Sequence, residues 1–258
     1  MNPLATIIVL VNSGQDDYLE ETIKSALQQT YREFILYICC SDSTTQALKS
    51  VESYGDEYPI VCINSHTEDS ALSSAIEATK TQYFGWLNSG DTLRPNALEE
   101  AVKAIHNNPE IGAVYTNQSA IDENGSLEDN AEVFNVQYSE EKLLTDFIVT
   151  QFRLIRRSVY KKSSGINNRL PYCKAYDLIL KISEISDFIH LEKPLYCYRK
   201  LRRSRSSKEQ IGRILWAKEV ADQALQRRSM SSEYELAVEL LPQCYLIDKV
   251  LSDAENRQ

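Results

Sequence analysis

Residues 83–96, YFGWLNSGDTLRPN, carry the groups on which a ligand is most readily placed. Tyr83, Phe84, Trp86 and Leu87 form an apolar run that ends in Asn88-Ser89-Gly90-Asp91. An apolar run ahead of a polar, glycine-containing turn reads as a buried strand emptying into a loop. Ligands of open α/β sheets bind beyond the carboxyl ends of the strands, which makes Asn88 and Asp91 candidate binding groups. The same residues suit plain turn chemistry, because Asn and Asp side chains bond their own backbone. Both readings are open at this point.

Three other places offer chemistry. The run FILYICC (residues 34–40) ends in Ser41-Asp42-Ser43-Thr44-Thr45, where Asp42 either meets a ligand or caps the following helix. Asp177 stands near the start of YDLILKISEI, a helical pattern. From Arg199 to Lys208 (RKLRRSRSSK) six of ten residues are basic. Such a run suits a diphosphate or an anionic lipid surface, or is simply solvated. The histidines His66, His106 and His190 are scattered and read as structural. The six cysteines (Cys39, Cys40, Cys62, Cys173, Cys197, Cys244) form no CxxC pair and read as buried thiols of a reducing compartment.

These residues need a scaffold, and the pattern supplies one. Thr6 to Val11 is a β-branched run suited to a central parallel strand covered on both faces. Leu19, Ile23, Ala26 and Leu27 recur at helical spacing behind the acidic Asp16-Asp17. Strands are expected at 34–40, 59–64, 84–87, 111–118 and 188–198, with helices at 47–54, 71–79, 97–105 and 176–185 between them. Alternation of this kind signals a parallel sheet with helices on its faces. A last helix over 209–228 is expected to pack through Ile211, Ile214, Leu215, Ala221, Ala224 and Leu225. The expected division is residues 1–205 as one α/β domain and 206–258 as a helical extension.

Composition narrows the function. A chain of 258 residues can bury a proper core, and 43% hydrophobic with 25% charged residues is ordinary for a soluble protein. A net charge of −9 argues against a general nucleic-acid binder. It leaves room for an anionic nucleotide, which backbone amides and a metal ion can hold locally. No apolar run approaches the ~20 residues of a membrane helix, and no signal peptide is visible, so the expectation is a cytoplasmic protein.

Two segments, ATIIVLVNSGQDDYLEETIKSALQQTYREFILYICCSDSTT and ALSSAIEATKTQYFGWLNSGDTLRPNALEEAV, resemble the family 2 glycosyltransferases of GT-A fold. The resemblance rests on Tyr18-Leu19, Thr22-Ile23, Ser25, Leu27, Gln29-Thr30-Tyr31 and Phe34. It continues through Ala75-Ile76, Leu87, Ser89, Asp91 and Pro95-Asn96-Ala97-Leu98, and covers the chain from Ala5 to Arg203. It implies a Rossmann-like, mostly parallel sheet flanked by helices and an inverting transfer from a nucleotide sugar. The acceptor is a glycan, a lipid-linked molecule or a protein. Carried over by position, the donor site comprises Val11, Asn12, Asp42, Asn88, Asp91 and Arg199, with Asp91 as ligand to Mn2+ or Mg2+; Asp177, retained in the Tyr-Asp-Leu helix where the family has a capping residue, is the candidate base only through a shift of that helix.

The reactive positions of that family are altered here. Cys40-Ser41 replace the acidic pair of the nucleoside turn, and Asn88 and Gly90 replace the two key carboxylates after the fourth strand. Lys174-Ala175 stand where the Glu-Asp pair of the base is usual, and Leu201 where a His is usual. Two functions are therefore expected in competition: a transferase, or an inactive GT-A protein that binds nucleotide or sugar or serves in an assembly. The run from Arg199 to Lys208 adds the expectation of peripheral contact with the inner membrane face.

Overall fold

The computed structural model describes residues 3–11, 16–41, 60–65, 68–128, 135–200 and 207–238. In chain order the elements are β1 (Ala5–Leu10), a 3-10 turn (Asp16–Tyr18), α1 (Leu19–Leu27), β2 (Phe34–Ser41), β3 (Ile60–Ser65), α2 (Glu68–Ala78), β4 (Tyr83–Asn88) and β5 (Thr92–Leu93). There follow α3 (Ala97–Asn107), β6 (Ala113–Ile121), α4 (Glu140–Thr145), β7 (Arg153–Arg156), α5 (Arg157–Lys162), α6 (Lys174–Ser183), β8 (Phe188–Arg199) and α7 (Ser207–Arg227). The helix expected at 47–54 lies outside the described residues.

One eight-stranded sheet runs β3-β2-β1-β4-β7-β6-β8-β5. Its first four strands are parallel, as is the pair β6–β8. The joins β4–β7, β7–β6 and β8–β5 are antiparallel. Strand side chains alternate between faces, and β1 divides accordingly. Ala5, Ile7 and Val9 enter a core shared with α1 and α3, while Ile8 enters a second core shared with α2, α6 and α7. Burial on both faces is what selects the unbroken apolar runs of β1 and β4. Gly85 of β4 is required by crowding: a Cβ there would stand 2.4 Å from the Arg153 carbonyl of β7.

Two expectations are corrected. The apolar residues of α7 do not form one packed face. Val220, Ala221, Ala224 and Leu225 are buried, whereas Ile211, Ile214 and Leu215 in its first two turns are exposed. The cysteines are not uniformly buried either. Cys39 and Cys197 lie inside, but Cys62 is exposed because β3 is the edge of the sheet.

Candidate active site

Register determines where the site must be. Leu10 of β1 stands opposite Cys39 of β2 on one side and Asn88 of β4 on the other. The parallel strands therefore end together, and the chain positions after β1, β2 and β4 share one edge of the sheet. Val11 is buried there, its N–H donating to the Cys39 carbonyl at 2.9 Å. Asn12 and Asp42, the other two candidates from these loops, lie outside the described residues.

The turn after β4 is held from beneath by α1. Gly90, at φ 96°, takes the left-handed conformation that favours glycine. Its N–H donates to the Thr22 hydroxyl at 3.0 Å, and that hydroxyl donates to the Asp91 carbonyl at 2.8 Å. One turn on, Ser25 accepts from the Leu93 N–H at 3.2 Å. A further turn on, Gln29 donates to the Arg94 carbonyl at 2.9 Å and accepts from the Leu98 N–H at 2.8 Å. Thr22 and Ser25 lie on α1 and Gln29 two residues past its end at continued helical spacing, so one face supplies partners for backbone groups of Gly90, Asp91, Leu93, Arg94 and Leu98. Polar residues inside an otherwise apolar helix face were the sequence signal for this role, which motif matching alone did not reveal.

From above, the turn is locked to β8. Asp91 is only 4% exposed, and both carboxylate oxygens are engaged. One accepts from the Tyr196 hydroxyl and, at 3.5 Å, from the Asn88 amide; the other accepts from the Arg199 N–H at 3.0 Å. Burial pushes its pKa up to about 6, against the opposing hydrogen bonds and the Arg199 charge. The Tyr196 hydroxyl is pushed well above its usual range by burial and by the Asp91 carboxylate.

Arg199 carries the lock outward. Its Nε donates to the Gly90 carbonyl at 2.7 Å, and Nη1 donates to the Asp122 and Glu123 carbonyls, each at 3.0 Å. Nη2 pairs with the Glu21 carboxylate, and the guanidinium lies 4.5 Å over the Tyr18 ring. The planar fork thus joins α1, the β4 turn, the 122–125 turn and β8. Asn88, Asp91 and Arg199 stand in one cluster, and the donors of Arg199 are directed at protein atoms.

Asp177 takes no part in that cluster. It is buried on α6, paired with the Lys181 ammonium at 2.6 Å, with Oδ1 lacking a hydrogen-bond partner. Beside it α4, α6 and α7 enclose a cavity of about 750 Å³. Lys174 and Ala175 line it, as do Phe147, Tyr172 and Tyr176, and among its described lining residues the carboxylate is Asp146. The cavity adjoins the sheet through Arg153, whose buried guanidinium lies 4.5 Å over Trp86 of β4 and 5.2 Å from the Phe147 ring. That guanidinium donates to the Val149 carbonyl at 3.0 Å, and burial lowers its pKa to about 9.

A resident divalent ion is poorly served by this geometry. Mg2+ usually takes one or two carboxylates together with substrate phosphates. Asp91 is the carboxylate of the turn, and its oxygens already serve Tyr196, Asn88 and Arg199. Among the described residues no group of three or more His, Cys, Asp or Glu side chains is placed to hold a metal.

Known proteins share this architecture. Residues 6–164 match the family described as glycosyl transferase family 2. The chain is 32% identical over 184 residues to the chondroitin synthase of Pasteurella multocida (strain Pm70), covering 70% of this chain and 19% of that protein. It is 30% identical over 182 residues to the chondroitin synthase of Escherichia coli, covering 69% of this chain and 26% of that one. The chain thus spans about a fifth to a quarter of the length of these relatives. The S. aureus TarS structure in complex with UDP-GlcNAc superposes with a TM-score of 0.67 at 16% identity, over 87% of this chain and 66% of that one. The mannosyltransferase PcManGT from Pyrobaculum calidifontis, in complex with GDP-Man and Mn2+, gives 0.58 at 14% identity, over 92% and 77%. At such identities the likeness carries the fold alone. No described helix is long and apolar enough to cross a membrane.

Proposed function

The chain belongs to glycosyl transferase family 2, and from that premise we propose that it transfers a sugar from a nucleoside-diphosphate sugar to an acceptor hydroxyl with inversion. The observation that carries the reading is the turn from Asn88 to Asp91, braced by α1 and β8 at the edge where β1, β2 and β4 end in register. The nucleoside-diphosphate sugars of TarS and PcManGT give the class of donor. Val11 at the end of β1 borders the nucleoside, Asn12 and Asp42, which follow β1 and β2 in sequence, are further candidates to meet it, and the half-buried Asn88 amide meets a ribose hydroxyl. Asp91 and Arg199 act as positioning residues that hold this amide and the turn backbone in place.

In the transfer, the acceptor oxygen attacks the anomeric carbon as its bond to the diphosphate breaks. The hydroxyl proton passes to a carboxylate, and the nucleoside diphosphate departs. Of the two carboxylates near Lys174 and Ala175, the positions of the family's base, Asp146 lines the same cavity as they do, while Asp177 is sealed against Lys181. We therefore favour Asp146 over the expected Asp177 as base. Mn2+ accompanies the donor in PcManGT; among the described residues the turn offers such an ion one carboxylate, Asp91, already engaged by Tyr196, Asn88 and Arg199.

A non-catalytic protein is the second reading, favoured by the Ala175 side chain at the position of the family's base. Calorimetric titration with UDP- and GDP-sugars, with and without Mn2+, combined with a donor-hydrolysis assay, separates the two. Donor binding that survives EDTA, is lost in Asn88→Ala, and supports turnover abolished in Asp146→Asn supports transfer. Binding with no turnover supports the second reading, and no donor binding across the panel refutes transfer and leaves only the non-catalytic reading. Turnover lost in Asp177→Asn and kept in Asp146→Asn reverses the assignment of the base.

A further inference from the structure

We propose that a second concavity, between the start of β4 and α5, binds the phosphate group of a small water-soluble molecule. It measures about 310 Å³, and Lys80, Arg156, Arg157 and Lys161 all line it. Cations held so close repel one another, and among its described lining residues there is no acid to offset them. Elsewhere the exposed lysines are matched: Lys24 with Glu20, Lys193 with Glu100, Lys200 with Glu128 and Lys218 with Asp222. Among the described residues Lys80, Arg157 and Lys161 have no such ion pair, in a chain whose net charge is −9. The walls are fixed. The Arg157 N–H donates to the Gln82 carbonyl at 2.9 Å, and the Thr81 hydroxyl donates to the Tyr83 carbonyl at 2.8 Å. Arg156 is committed to the carbonyls of Ile105, Asn108 and Ile111, so it adds charge while the other three cations keep their donors for a ligand.

Charge and shape identify the occupant. A carboxylate brings one charge and two oxygens. A phosphate monoester brings roughly 1.5 to 2 negative charges near neutral pH and three strong acceptor oxygens. That matches three cationic side chains, two of them one turn apart on α5, with the exposed Ser158 hydroxyl beside them. None of the large apolar side chains exposed among the described residues lines the concavity, so nothing there would enter a bilayer, and a soluble ester is favoured over a lipid headgroup. The site is also distinct from the donor site. It lies at the opposite end of β4 from Asn88, and six residues of strand at ~3.3 Å each separate the two by ~20 Å. The proposal stands whether or not the protein transfers sugar.

The test is calorimetric titration of the full chain with inorganic phosphate, glycerol 3-phosphate and acetate. Both phosphates are expected to saturate one site per chain, with Kd on the order of 1 mM or tighter, and acetate is not. Affinity should fall several-fold between about 20 mM and about 300 mM sodium chloride, as the charges are screened. Lys80→Gln and Lys161→Gln alter exposed side chains and should each weaken glycerol 3-phosphate about fivefold. Together with Arg157→Gln the loss should be on the order of a hundredfold, with far-UV circular dichroism unchanged. Asn88→Ala, at the other end of β4, should bind phosphate as wild type does. Absence of phosphate binding, equal binding of acetate, or indifference to the lysine variants would overturn the proposal. So would loss of phosphate binding in Asn88→Ala, since the phosphate would then occupy the donor turn. Flotation with phosphatidic acid vesicles separates the two sources: a chain that floats with them yet fails to bind glycerol 3-phosphate would show that the ligand is a headgroup, against the proposal.

Discussion

Asp91 combines a carboxylate, three hydrogen-bond donors and a neighbouring guanidinium in a place nearly closed to water. Its pKa of about 6 in the folded protein compares with ~3.9 in an unfolded chain. Between those values the folded protein binds a proton that the unfolded chain has lost. The contribution of this group to stability therefore falls as pH rises from about 4 to about 6, by roughly 3 kcal/mol. Asp91→Asn removes that slope. Urea unfolding from pH 4 to pH 7 should show the variant gaining about 3 kcal/mol relative to wild type across the window, and parallel curves would show that Asp91 titrates normally. This residue was singled out in the sequence, but the carboxylate expected to face a metal is turned onto Tyr196 and Arg199.

At the level of elements, α1 does two jobs with two faces. Leu19, Ile23, Ala26 and Leu27 bury against the sheet, and Thr22 and Ser25, with Gln29 just past the helix end, partner backbone groups of Gly90, Asp91, Leu93, Arg94 and Leu98. Thr22→Val keeps the shape and deletes the hydroxyl, leaving the Gly90 N–H and the Asp91 carbonyl without this partner. At about 1–3 kcal/mol for each of the two buried groups left unsatisfied, the variant should lose about 2–6 kcal/mol in urea unfolding. It should also bind nucleotide sugar more weakly, because the Asn88 turn is no longer held. Thr22→Ser should restore both, and a Thr22→Val protein as stable as wild type would show that the brace lies elsewhere. The apolar period of α1 was readable in the chain, whereas the partners of its polar residues, some 68 positions away, were not.

Across the molecule, the parallel half of the sheet meets the mixed half at β4–β7, where Tyr83 and Phe84 face Arg156 and Ile155. So short a seam would permit two folding units if the cores were separate. They are shared: one core joins Val9 and Leu87 to Val114 and Leu195, and the other joins Phe84 and Trp86 to Tyr115 and Phe188. A single unfolding transition is expected, with tryptophan fluorescence and far-UV circular dichroism coinciding in urea. Separated transitions would show that the seam divides the molecule.

Local pattern determined the longer strands and helices but not β5 or α4; it also determined the edge that holds the turn from Asn88 to Asp91 and, through matched scaffold positions, the family. Those properties depend on periodicity and on the parallel connection, both carried by neighbouring residues. Folding alone decided that Arg199 faces inward, that Asp177 is sealed by Lys181 while Asp146 lines the cavity, and that half of the apolar stripe of α7 remains uncovered. Each of these depends on which distant backbone or side chain occupies the adjoining space, and residue type does not encode that.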